Sequence, residues 1–409
     1  MESSNRLSTK QNNRKLILDL FRQSDVLSVA DINSSTGISK PTVQKVINHF
    51  TESGLILSEG KGASTEEGGK KPLLYSFNRE YGFIICIHLG PDFFYSAIAD
   101  LGAEIIHSEF MQVGSLRVGE LLELCAEKIN AYAGHDAVLE SRLISVSIAL
   151  PGIVEPESGK LVFLPHFPEI AGNYPFLDEL KALMSVDAPV YFDNINRLQA
   201  FAEMKIGAAA GKENFMIIDA MEEGLGSGII VKGELKHGAH NFSGEVGHMV
   251  LMPKNGPRCI CGGRGCFEAL VNLKRINLLV EEGRVQYPDS AVFRNEKHDK
   301  LQSRLLEAFK LDDPLAISVL DEIAFWFASG INNAQMINDP ELIIMEGIYN
   351  PFGESFVGMI KAHLSKMAFP DIERPLDIQF SGFGVERGIL GAAAWSVWSF
   401  FNQQELYAS

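Results

Sequence analysis

An α/β chain in two parts is what the sequence predicts, a small helical head followed by a large body of mixed sheets. Three observations carry that prediction. Apolar residues recur at helical spacing through the first fifty residues, whereas from Tyr81 onward strand-like apolar runs alternate with helical stretches. The charge balance breaks at the same place: residues 1–80 hold 11 Lys/Arg against 9 Asp/Glu, and the remainder 25 against 43. A length of 409 residues also exceeds one ordinary core and calls for two or three domains.

In the head, residues 12–23 place Leu16, Ile17, Leu20 and Phe21 on one helical face, with Arg14, Lys15, Asp19 and Arg22 outside. Ser28 is placed to cap a second short helix that ends at Gly37, and Ser39 to cap a third with Pro41 in its first turn. The third helix turns Val43, Val46, Ile47 and Phe50 inward and presents Lys40, Thr42, Gln44, Lys45, Asn48 and His49. After Gly54, two short strands flank a Gly-rich loop carrying Lys61, Lys70 and Lys71. Helix, turn, polar-faced helix and basic wing in that order predict a winged helix-turn-helix that binds double-stranded DNA. Gln44, Lys45 and Asn48 are types that read base edges, with Lys40 and Thr42 on the same surface. Lys70 and Lys71 suit phosphates or a minor groove. Glu66 and Glu67 in the wing oppose tight phosphate contact.

In the body, YGFIICIHLG, FFYSAIAD and EIIHSEFMQV read as successive strands, followed by the helix RVGELLELCAEKINAYAG. RLISVSIALPG and PVYFDN are further strands, the latter leading into the helix INRLQAFAEMKIGAAAG. FMIIDAM and GIIVKGEL are strand-like again. The succession of strands and helix at 81–135 recurs from 214 onward and suggests two related halves around a cleft.

Composition narrows the class. Apolar residues make up 46% and charged residues 22%, which excludes wholesale disorder. A net charge of −16 argues against coating nucleic acid with the whole surface. The opening residues lack the apolar segment of a signal peptide, and the apolar runs FIICI and AAAWSVWSFF are core-sized, so a cytoplasmic protein with no membrane partner is expected. Five cysteines do not make a disulfide scaffold. Cys86 and Cys125 lie in apolar runs and read as core.

The other three cysteines carry the sharpest local signal. His248, Cys259, Cys261 and Cys266 supply four soft ligands, with glycines at 262, 263 and 265 allowing a tight fold-back. One imidazole and three thiols fill a tetrahedral zinc and leave no open position, so the expected site is structural.

GEVGHM at 244–249 followed by CICGGRGCFE at 259–268 resembles the signature of the ROK family of sugar kinases and sugar-responsive repressors, whose repressor branch carries an N-terminal winged helix. The resemblance spans essentially the whole chain. It implies a winged helix over 1–80 and two actin-like, ribonuclease-H-like α/β lobes around an interlobe cleft. The lobes would be 81–200 and 201–409, the second with the zinc loop and an oligomerisation surface. It further implies a sugar in the cleft and a homodimer or tetramer. Glu245, His248 and Glu268 then match residues that hydrogen-bond sugar hydroxyls, and Asn194 the residue that precedes the catalytic Asp of the kinases.

Departures from the kinase pattern all point one way. Ile195 stands where the general base belongs, and an alkyl group takes no proton; Asp193, two residues earlier, is the one candidate for a shifted base. The first phosphate turn contains Pro91, which lacks a backbone donor. Glu222 and Glu223 precede the second turn, at Gly224, Gly226 and Gly228, and Glu346-Gly347 replaces a glycine pair that packs on adenosine. The expected function is a DNA-binding regulator of carbohydrate metabolism, a repressor in the commoner family mode, with no kinase activity. Its effector is a sugar or sugar phosphate. The alternatives are a sugar kinase with a DNA-binding head, or a scaffold governed by a protein partner.

Overall fold

The computed structural model describes all residues except 1–7, 63–70, 91, 115, 135–141, 165–166, 168–169, 171, 295, 297, 368, 370–371, 373–374 and 409. Lys70, Glu66, Glu67 and Pro91 lie outside the described residues. The chain gathers into two units, one of residues 1–148, 176–192 and 395–409, the other of 149–175 and 193–394.

The first unit opens with helices α1 (Thr9–Gln23), α2 (Val29–Thr36) and α3 (Lys40–Glu52) and strands β1 (Leu27–Ser28), β2 (Ile56–Lys61) and β3 (Leu73–Phe77) in the order β1-β3-β2. Helix α1 starts earlier than its apolar spacing suggests because Ser8 forms a capping box with Gln11. Ser28 caps α2 as expected, exchanging hydrogen bonds with Asp31. Ser39 precedes α3, but its hydroxyl meets Thr42 Oγ1 at 2.9 Å and caps no backbone amide.

The inward face of α1 differs from the expected one at three positions. Leu16 is 47% exposed and Leu18 takes its place in the core. Arg14 is buried, because its Nη1 donates to the carbonyls of Tyr407 and Ala408 at 3.0 and 2.8 Å. Arg22 covers the Phe401 ring at 3.9 Å. The head is thus tied to the end of the chain, which no helical periodicity could disclose. Replacing Arg14 by Met leaves the buried Tyr407 carbonyl and the part-buried Ala408 carbonyl without their donor and is expected to lower stability by about 2 kcal/mol. The checks are a lower melting midpoint and faster carboxypeptidase release of the C-terminal residues.

The rest of this unit is built on strands β4 (Phe83–Leu89), β5 (Phe93–Asp100), β6 (Ile105–Gln112), β7 (Leu143–Leu150) and β10 (Val190–Asn194), in the order β10-β7-β4-β5-β6. Helices α4 (Val118–Gly134) and α5 (Phe176–Leu183) pack on each other. Cys86 and Cys125 are buried as expected, and burial pushes the Cys125 thiol up to about 12.

The second unit holds the hairpin β8 (Ile153–Glu155) and β9 (Lys160–Phe163) and a sheet of β11 (Phe215–Ala220), β12 (Leu225–Val231), β13 (Glu234–Leu235), β14 (Leu342–Gly347) and β15 (Asp377–Phe380). Its order is β13-β12-β11-β14-β15, with β11–β12 antiparallel and β14 parallel to both β11 and β15. Counted within each five-stranded sheet, both run third-second-first-fourth-fifth, the repetition suggested by the recurring strand pattern.

One face of the second sheet carries α6 (Ile195–Ile206) and a small cluster of Ala200, Phe215, Ile217, Ile230, Leu342 and Ile344. The larger core lies among α7 (Phe267–Val271), α8 (Leu273–Gly283), α9 (Leu301–Lys310), α10 (Pro314–Asn338) and α11 (Gly353–Leu364), with Phe267, Phe327, Tyr349 and Phe356 at its centre. The last helix is α12 (Arg387–Phe401). Helix α10 is long and apolar enough to cross a membrane, which the core-sized runs read from the sequence do not include. Asp321 and Glu322 interrupt its apolar stretch, and its Val319, Ile323, Phe327 and Ile331 lie buried in this core.

Candidate functional site

Strand β12 shapes the loop that carries the motif at 244–249. Gly244 adopts φ +95°, and a Cβ there would lie 2.7 Å from the Ser227 carbonyl oxygen; one on Gly247 would lie 2.2 Å from that of Leu225. The glycines let the loop lie flat on the strand, so that Glu245 and His248 stand at the two ends of a single 3-10 turn. The second half of the motif folds back through isolated bridges between Val250 and Cys266 and between Arg258 and Arg264. Gly265, at φ +67°, makes the fold-back possible, since a Cβ would fall 1.8 Å from the Met252 carbonyl oxygen.

This path brings all four expected metal ligands together. One donor atom each of His248, Cys259, Cys261 and Cys266 lies within 4.8 Å of the others. Cys259 Sγ is 3.4 Å from His248 Nδ1, and Cys261 Sγ 3.7 Å from Cys266 Sγ. A tetrahedral ion with metal–sulfur bonds of about 2.3 Å needs ligand separations of roughly 3.8 Å. The cluster can bind a metal, and the spacing and softness of its donors suit zinc.

Glu268, in the first turn of α7, is buried and accepts from Cys259 Sγ at 2.8 Å, with His248 Nδ1 at 3.7 Å. Burial pushes the Glu245 carboxyl above its usual range, while nearby His248 and Arg197 pull it down and Glu268 raises it. Three of the four expected sugar contacts, Glu245, His248 and Glu268, therefore share one electrostatic neighbourhood beside the metal cluster.

Asn194 is used differently. Its Oδ1 caps α6 by accepting from the amides of Asn196 and Arg197, and its Nδ2 donates to the Gly152 carbonyl at 2.8 Å. Ile195 is buried at the first position of that helix. Asp193 is committed on both oxygens: Oδ1 accepts from Arg197 Nη1 at 2.9 Å and Oδ2 faces His237 Nε2 at 2.7 Å. Arg197 also donates to the Asn241 carbonyl. Asp193, Arg197 and His237 thus pin the loop of residues 236–245 to the start of α6. The expected contacts omit Arg197 and His237. The available signal is an Arg four residues after an Asp across a strand-to-helix junction.

In the second phosphate turn, Glu222 accepts from Gln302 Nε2 at 3.0 Å and Glu223 pairs with Lys274 at 3.1 Å. The space a Cβ on Gly226 would take is filled by Asn196, whose Nδ2 lies 1.7 Å from that position.

On the head, the expected DNA-facing residues share the outer surface of α3. Lys40, Lys45 and Asn48 are exposed, Thr42 and Gln44 partly so, and Lys71 stands exposed before β3. Gln44 Nε2 donates to Asn48 Oδ1 at 2.9 Å and reaches the Tyr75 hydroxyl at 3.4 Å, so the two amides are pre-ordered with respect to the wing.

A sequence profile described as the ROK family matches residues 84–397. Among curated relatives, the xylose repressor of Bacillus spizizenii is 26% identical over 398 residues, covering 96% of this chain and 97% of its own. A glucokinase of Halalkalibacterium halodurans is 29% identical over 269 residues, covering 65% of this chain and 78% of its own. A crystal structure described as a ROK family transcriptional regulator, homolog of the Escherichia coli MLC protein, superposes with a TM-score of 0.77 at 23% identity, covering 96% of both chains.

Proposed function

The chain belongs to the ROK family, and from that membership we propose that it is a sugar-responsive DNA-binding repressor of carbohydrate metabolism without kinase activity. The observation that carries this reading is the head. Three helices and two wing strands, with polar residues on the outer face of α3, precede the family domain. Similarity to a named repressor runs through 96% of the chain, whereas similarity to a glucokinase covers 65%. In this reading residues 1–80 bind operator DNA, 81–200 and 201–409 form the sensing lobes, and a homodimer or tetramer presents two heads to two half-sites.

The effector is a sugar or sugar phosphate held by Asn194, Glu245, His248 and Glu268, and the cofactor is a structural zinc on His248, Cys259, Cys261 and Cys266. His248, Cys259, Cys261 and Cys266 would hold the zinc, which would staple the loop and fix the His248 ring so that its other nitrogen could meet a hydroxyl. A metal-held Cys259 is a thiolate and no longer donates to Glu268, which frees that carboxylate for the same ligand.

Three features support the absence of kinase activity. Ile195 carries no base, both oxygens of Asp193 are engaged, and Asn196 occupies the glycine turn where phosphate would need room. The relationship to glucokinases favours the kinase as second reading. An ATP-dependent phosphorylation assay with a sugar panel separates the two: no turnover is expected, and turnover lost on Asp193→Ala would restore the kinase.

Gel retardation on the DNA upstream of the chain's own gene tests the repressor directly. A complex that weakens steeply with added salt is expected. Lys71→Ala should weaken operator and random DNA alike and flatten the salt slope. Gln44→Ala or Asn48→Ala should cost about 1–3 kcal/mol on the operator alone. Absence of any complex would sink the proposal.

A further inference from the structure

One face of the second sheet ends in a buried polar cluster that neither the head, the zinc loop nor the effector site uses. Asp219 on β11 and Glu346 on β14 are register partners in parallel strands, so their side chains emerge side by side on the face covered by α6. Asp219 is also opposite Gly226 on β12, and the amide of Asn196 sits in the space above that glycine. Gln199 follows one turn later on α6, and Asn350 donates to Glu346 Oε1 at 3.0 Å.

Oxygens remain over. Among the described residues, Asp219 Oδ1, Glu346 Oε2, Asn196 Oδ1, Gln199 Oε1 and Asn350 Oδ1 are buried without a hydrogen-bond partner. Asp219 and Gln199 are 0% exposed, Asn196 and Glu346 4%. Buried acceptors are normally satisfied, and several unsatisfied ones on one sheet face call for a shared partner.

The charges are unbalanced in the same sense. Glu203 is fully buried and accepts from Ser381 Oγ at 2.6 Å and the Ala208 amide at 2.8 Å. Ser381 itself follows β15, its amide bonded to the Met345 carbonyl beside Glu346. Against the carboxylates of Glu203, Asp219 and Glu346 stands one guanidinium, that of Arg387, whose Nε donates to Asp219 Oδ2 at 3.1 Å. Arg387 also acts on Glu346 across space, but among the described residues neither Glu203 nor Glu346 has a direct ion-pair partner.

We infer that Asp219, Glu346, Asn196 and Asn350 hold a hard divalent cation, magnesium or calcium, at the ends of β11 and β14. Oxygen donors alone select such an ion over zinc, and amide carbonyls beside carboxylates are its ordinary ligands. Two charges would be neutralised and the leftover acceptors used together. Burial pushes the carboxyls of both Asp219 and Glu346 upward, as expected for anions lacking that counterion.

The test is thermal melting and calorimetric titration of the full chain at pH 7.5 in metal-free buffer, with zinc content verified throughout and magnesium or calcium chloride as the probe. At about a hundredfold excess over Kd the midpoint should rise by a few degrees. Glu346→Gln keeps the size of the side chain and its bond to Asn350; without added cation it should melt no lower than the parent, and it should lose the response. Asn350→Ala should weaken binding several-fold. An unresponsive parent, or a response retained in Glu346→Gln, overturns the inference. So does stabilisation on acidification from pH 8 to 6 with no cation effect, which would mean that the pair shares a proton.

Discussion

If the cluster holds the proposed zinc, replacing Cys259 by Ser should cut the metal bound by the purified chain to a small fraction of an equivalent and loosen the loop from Val250 to Gly265. The reason lies in how little else holds that segment. Its backbone is fixed by two isolated bridges and a few turn hydrogen bonds, and Gly262 and Gly265 add conformational freedom that the unfolded chain would regain. Val246 and Phe267 anchor the two ends in the larger core, but between them Val250 and Ile260 are 55% and 61% exposed, so burial contributes less to the metal loop itself. In the proposed reading metal bonding supplies the difference, as it does in small zinc-dependent folds, where the ion contributes about 10–16 kcal/mol. A serine in place of one of four ligands forfeits a large share of that.

The expected readouts are metal analysis, a melting midpoint lowered by many degrees, and proteolytic cleavage between residues 249 and 266. Effector response should vanish together with the metal, because the proposed function gives His248 both roles. Parent protein that retains its stability and protease resistance after chelation would remove the structural role.

The two readings differ in how they could be reached from sequence. The metal cluster was legible because its ligands are of rare types and close in the chain, and because the glycines between them allow a tight fold-back. The helices of the head were legible for a similar reason, since apolar spacing and Ser28 act locally. Arg14 was not, because its partners Tyr407 and Ala408 lie at the other end of the chain. Asn194 shows another limit. Its place in a motif suggests a ligand contact, yet its side chain also caps α6 and donates one Nδ2 hydrogen to the Gly152 carbonyl, uses that residue type alone does not disclose. The Asp219–Glu346 pairing depends on strand register, which becomes visible only once β11 and β14 are side by side.

Arg197→Ala should be the most damaging single change outside the metal loop, lowering stability by about 3–5 kcal/mol. The Arg197 and Asp193 side chains are 1% and 3% exposed, so removing the guanidinium strands a carboxylate that water cannot reach. His237 remains beside Asp193 Oδ2, but its ring is 31% exposed and holds only one of the two oxygens. The Asn241 carbonyl loses its donor as well, and the loop that carries Glu245 is released from α6.

Two measurements separate the electrostatic cost from simple loss of packing. Because the penalty comes from an unpaired buried charge, the double change Asp193→Leu with Arg197→Met should be less destabilising than Arg197→Ala alone. A double variant that costs the sum of the singles would refute the ion-pair account. The effector response separates fold from function: in the double variant the fold recovers, but the loop at 236–245 has no tether to α6. Melting shifts with sugars should therefore stay small even where the midpoint is restored. If the response returns with the midpoint, Arg197 and Asp193 serve stability alone, and the positioning of Glu245 must come from Gly244 and Gly247 lying on β12.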